Sequence, residues 1–174
     1  MATMQAPRAF YGQIDRFPIL ALSGHVRYVT VRALRAFIDD LVARNDADTM
    51  IIDLRELEAI DSTGMGLLAR LGRTTLAHGR RAVIVCAVHD VMTCLKSAAF
   101  DKLFVIVEQW PFEHEPKLTE LSLQSKDNRA DMMGRFILDA HRDLAALSDD
   151  NQQTFAGVIE ALEAELNRGG TRPS

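Results

Sequence analysis

Asp61, Ser62 and Thr63, followed at once by Gly64, Met65 and Gly66, bring an acid, two hydroxyls and two glycines into one short run. Four kinds of chemistry are open to such a set: attack by the serine, acid catalysis, phosphate cradling, and modification of a hydroxyl by another protein. The first three each require companions. A nucleophile elbow needs glycine two residues ahead of the serine, where Ile60 stands. A phosphate loop needs a third glycine and a lysine, which do not follow Gly64-Met65-Gly66. A carboxylate pair needs a second acid motif, and Asp61-Ser62-Thr63-Gly64 occurs once. His25, His78, His89, His114 and His141 include no i, i+4 pair and no cysteine knuckle, so no metal site is expected. No enzyme active site and no cofactor are expected. Ser62 is left in one of two roles. It is a helix cap whose oxygen satisfies first-turn amides, or a phosphorylation switch at a helix end that favours negative charge.

The elements around this run give it that position. Met50 to Leu54 is a short apolar strand, and Met65, Leu67, Leu68 and Leu71 recur at helical spacing in a helix over Ser62 to His78. Gly79 is placed to end that helix in the left-handed conformation. Strands are also expected over Ala9 to Ile14, Phe17 to Leu22, Ala82 to Ala87 and Leu103 to Val107. Helices are expected over Thr30 to Ala43, with Val31, Leu34, Phe37, Ile38, Leu41 and Val42 on one face, and over Asp90 to Ala99. Alternation of this kind favours an α/β unit with a largely parallel sheet.

After Trp110-Pro111 no further strand signal is evident, and Pro116 with the polar stretch Gln124 to Asn128 reads as a joint. Two amphipathic helices then form a hairpin. Met133, Phe136, Ile137, Ala140, Leu144 and Leu147 line the first; Phe155, Val158, Ile159, Leu162 and Leu166 line the second, after a Ser148-Asp149-Asp150 start suited to capping. The tail from Gly169 to Ser174 is expected to fray. The expected division is therefore 1–112 for the α/β unit and 113–174 for the helical extension. The hairpin either packs on its own α/β unit or forms a homodimer.

The bulk properties of the 174 residues narrow the classes further. Apolar residues make up 48% and charged ones 25%, enough for a packed core. A net charge of −4 argues against broad nucleic-acid binding. The N-terminus has no apolar signal core, and no apolar run nears the roughly 20 residues that span a bilayer. Cys86 and Cys94 form no pair motif and read as buried thiols in a reducing, cytoplasmic setting.

Taken together, Asp53-Leu54-Arg55 ending a strand, a short link with Leu57 and Ile60, and Asp61-Ser62-Thr63-Gly64-Met65-Gly66-Leu67-Leu68 opening a helix resemble the STAS-domain family. Within it they resemble the bacterial anti-sigma-factor antagonists, whose signature here is Asp-Ser-Ser/Thr-Gly-Leu-Gly. Leu22-Ser23-Gly24, Gly79 and the run Ser97 to Phe104 match as well, and the resemblance covers about residues 9 to 110. It implies a STAS-like mixed sheet and a binding module that captures an anti-sigma factor which is also a serine kinase. Phosphorylation of Ser62 would switch it off, and a phosphatase of the metal-dependent serine/threonine class would restore it. Asp61, Ser62, Thr63, Gly64, Met65 and Gly66 would form the partner-binding surface.

Three departures stand out. Arg27 in Gly24-His25-Val26-Arg27 stands where the family often has an acid, and is either a contact for phosphorylated Ser62 or an acidic partner, or simply a solvated arginine. Met65 replaces leucine, and the chain runs on past the α/β unit to Ser174. A STAS subunit of a transport or lipid-trafficking assembly, or a scaffold of a signalling complex, is the alternative, with Ser62 only a cap.

Overall fold

The computed structural model describes residues 5–43, 49–123 and 130–169. The expected joint at 124–128 lies outside them, as does the tail from residue 170. Strands β1 (Arg8–Ile14) and β2 (Phe17–Val26) form an antiparallel hairpin, and helix α1 (Tyr28–Ala43) follows. Strands β3 (Ile51–Asp53) and β4 (Leu57–Ile60) precede helix α2 (Ser62–Ala77). Strand β5 (Ala82–Val85), helix α3 (His89–Ser97), a single 3-10 turn (Phe100–Lys102) and strand β6 (Phe104–Val107) complete the alternation. Strand β7 (Lys117–Leu121) and helices α4 (Ala130–Ala145) and α5 (Asp149–Gly169) follow.

The sheet order is β6-β5-β3-β2-β1-β7, with β4 pairing the far end of β2. β2, β3, β5 and β6 run parallel, and β1 is antiparallel to both its neighbours. This is the mixed, largely parallel α/β sheet expected from the sequence, followed by the expected helical hairpin.

Two strands were not anticipated. The Leu57–Ile60 link is β4, which pairs parallel with β2 after a register shift at Gly24/His25. The stretch after Trp110, where no strand signal was read, contains β7 on the edge beside β1. Both are short, and β7 carries lysine, threonine and glutamate among its five residues, the polar character of an edge strand.

The strand period divides two cores. On β2, Leu20 and Leu22 enter the main core with Leu34, Ile38, Ile52, Leu68, Ile84 and Phe104. Ile19 points to the other face, where Ile14, Ile51 and Val85 pack with Phe17, Trp110 and Phe112. That second face is clasped by Arg55. Its guanidinium bonds both oxygens of Glu115 and of Asp53, and it stands 4.3 Å from the Trp110 ring centroid. The hydrogen bond from Arg55 holds Glu115 below the usual carboxylate range.

Local punctuation follows the sequence closely at two helix ends. Gly79 adopts φ 74°, and its N–H and that of Arg80 return to the Leu76 and Thr75 carbonyls, closing α2. Ser148 Oγ accepts from the Asn151 amide at 3.1 Å and caps α5. Cys86 is buried, and that burial pushes its thiol up; Cys94 is exposed, contrary to the expectation of two buried thiols. Cys94 lies on the outer side of α3, whose buried positions are Val91, Met92 and Leu95.

Candidate functional site

The start of α2 is built around Asp61, which takes the cap that was one of the two roles open to Ser62. Asp61 is extended, with φ −86° and ψ 172°, and its Oδ1 accepts from the Gly64 amide at 2.8 Å. Its Oδ2 accepts from the Tyr28 amide, also at 2.8 Å, at the first residue of α1. One carboxylate therefore serves two helix starts, where the two helix dipoles both favour negative charge. β4 delivers Asp61 to this point: the Asp61 amide donates to the Val26 carbonyl, next to the pairing of Val26 with Ile60.

Freed from capping, Ser62 becomes the first helical residue of α2, and its half-buried side chain turns elsewhere. Ser62 Oγ lies 2.9 Å from Nε2 of His141, on α4. His141 Nδ1 lies 2.7 Å from the Ile137 carbonyl, one turn earlier. A carbonyl only accepts, so Nδ1 carries the proton; in the neutral ring Nε2 then accepts from the Ser62 hydroxyl. His141 is 6% exposed and packs edge-on against Phe155 of α5 at 5.6 Å. A serine hydroxyl donating to an imidazole is one element of nucleophilic catalysis. Here the second ring nitrogen is tied to a backbone carbonyl instead of a carboxylate.

The two glycines of the motif make different close contacts. A Cβ on Gly64 would stand 2.8 Å from Ile60 Cγ1, so Gly64 seats α2 on β4. A Cβ on Gly66 would stand 2.6 Å from both Cα and the carbonyl carbon of Ala140, so Gly66 is where α4 crosses α2. Thr63 and Met65 are buried, at 5% and 8% exposure, while Ser62 is half-buried. Arg27 is exposed immediately before α1, beside the Tyr28 amide that reaches Asp61, and its carbonyl accepts from the Thr30 and Val31 amides.

The structure thus brings Asp61, Ser62, Gly64 and Gly66 together with the start of α1, and adds a residue not anticipated at the site, His141. Its sequence context held one signal: it follows Ala140 on the apolar side of α4, where a histidine needs a buried polar partner. Among the described residues no group of histidines, cysteines and acids is placed to hold a metal. No helix among them is long and apolar enough to cross a membrane.

Residues 11–117 match the STAS domain, over more than half of the chain. The chain belongs to the STAS-domain family. Its STAS unit is similar in fold to the crystal structure of an anti-sigma factor antagonist from Mycobacterium paratuberculosis. That likeness has a TM-score of 0.52 and 19% identity, and covers 63% of this chain and 92% of that one. A second similar structure is the anti-sigma factor antagonist SpoIIAA in its unphosphorylated form, with a TM-score of 0.49, 19% identity, and coverage of 57% and 87%. No curated protein matches. Both likenesses leave a large part of this chain uncovered, and the STAS match itself ends at residue 117, before α4 and α5.

Proposed function

We propose that this STAS-domain protein is an anti-sigma-factor antagonist in a partner-switching pathway, controlled by reversible phosphorylation of Ser62. The observation that carries the reading is the placement of Ser62 as the first helical residue of α2, beside a carboxylate that already organises two helix starts. In this reading the anti-sigma factor, itself a serine kinase, docks on the starts of α1 and α2. Asp61 sets the backbone there, and Arg27 stands exposed at the rim to meet an acidic group or the phosphate. A metal-dependent serine/threonine phosphatase returns the protein to its binding form. Residues 1–112 act as the regulatory unit; 113–174 act as the appendage, lending β7 to the sheet.

The electrostatics support such a switch. A phosphate adds about −1.5 to −2 charge at the docking surface, while the positive end of α2 tolerates it on its own side. The fold survives modification and the interface is repelled. Titration calorimetry of the cognate kinase with the parent chain and with Ser62→Asp tests this. Binding is expected to weaken by at least about tenfold, the loss typical of a mismatched charge at an interface. Equal affinity of the two chains contradicts the proposal.

A further inference from the structure

The side of α2 that carries Ser62 already has an occupant. Ser62, Gly66, Ala69 and Arg73 recur at steps of four and three and share one face of the helix. α4 crosses it: His141 meets Ser62 at 2.9 Å, Ala140 abuts Gly66, and Arg73 Nη1 lies 2.8 Å from Asp143 Oδ1. A phosphoryl group on Ser62 Oγ does not fit between that oxygen and His141 Nε2.

α4 is held unevenly along its length. Its C-terminal end is rooted, because Leu144 and Leu147 belong to the main core and Lys102 Nζ donates to the Leu147 carbonyl. Asn151, 4% exposed, donates to the carbonyls of both Ala98 and Leu144 at 3.0 Å. The part of α4 nearest Ser62 and α1 is held by polar groups as well as by packing. Arg35 of α1 pairs with Asp139 at 3.1 Å and lies 4.6 Å from the Phe136 ring centroid. Leu138 and Ala140 are buried yet stand outside the main core. Burial pushes the Asp143 carboxyl up from the usual range in spite of Arg73.

We propose that the α4–α5 hairpin is an autoinhibitory cover, rooted at Leu144–Asn151, whose Phe136–His141 segment lifts to expose Ser62 and the adjoining face of α2. The kinase and the docking partner then compete with a segment of the same chain. Phosphorylation, once made, keeps the segment from reseating on Ser62. The role given to the exposed face rests on the reading of Ser62 as a phosphorylation site; the cover itself does not.

The test is a thiol probe in the full chain. Ser62→Cys in a Cys94→Ser background places a thiol under α4, with Cys86 buried, and a bulky maleimide reads its exposure without any kinase. Asp139→Arg with Asp143→Arg sets like charges against Arg35 and Arg73. Labelling is expected to run at least about tenfold faster in the charge-reversed chain, with the cooperative melt of the α/β unit retained. Gly66→Ala, which drives a methyl group into the Ala140 backbone, is expected to speed labelling in the same way and serves if the charge-reversed chain does not fold. Equal labelling rates in the parent and in a folded opened variant overturn the cover, as does labelling of the parent at the rate of a free thiol. A kinase that ignores Ser62 would leave these rates unchanged, so the two proposals fail separately.

Discussion

The Asp61 carboxylate joins the first turns of α1 and α2 through the Tyr28 and Gly64 amides, and everything else at the site is arranged about it. Because Asp61 caps α2, Ser62 is spared that task, and its hydroxyl is available to His141 in this structure or to a phosphate in the proposed cycle. Asp61→Ala removes the oxygens that satisfy two helix-start amides and is expected to destabilise the fold by about 1–2 kcal/mol. A urea midpoint unchanged by Asp61→Ala would contradict the capping role. Much of this was legible in the sequence, which located the helix start and singled out Asp61, Ser62 and the glycines. The displacement by one residue was not, because aspartate and serine are comparable caps and only the backbone of Asp61, extended by β4, decides between them. His141 lay beyond reach for another reason. Its contact spans 79 residues, and no local periodicity encodes such a distance.

At the scale of elements, the long periodic helices and the buried strands were readable because each repeats one pattern over several residues. β4 and β7 escaped because they are short and partly polar, and because pairing partners make them strands: β2 for one, β1 for the other. The segment between β6 and β7 is held by a clasp that the sequence did not signal, Arg55 with Asp53, Glu115 and the ring of Trp110. Glu115 is largely exposed, so solvent screens the clasp and its contribution is modest. Its sign is defined all the same. A carboxyl held below its ordinary value adds stability above that value, and loses it as the pH falls through the folded-state value. Trp110, the single tryptophan, reports the event. Its fluorescence is expected to change on acidification below about pH 4, ahead of global unfolding, and Glu115→Gln is expected to remove that early change. An identical acid titration in the variant would show that Glu115 does not hold the segment.

For the whole molecule, a STAS unit of familiar topology carries a helical hairpin that the family match leaves uncovered. The expectation of two alternative uses for the hairpin is answered in one respect: α4 packs on α2 and on α5 within the same chain. Val158, read as part of the apolar stripe of α5, is instead 42% exposed, so the outer helix is only partly engaged. The proposed binding surface, the proposed modifiable hydroxyl and the proposed cover all lie on α2. Phosphorylation of Ser62 is decided by phosphate mapping with mass spectrometry after incubation of the full chain with its cognate serine kinase and ATP. A single phosphate is expected on Ser62 and none on Ser62→Ala; a Ser62→Ala chain labelled as fully as the parent would overturn the assignment of Ser62.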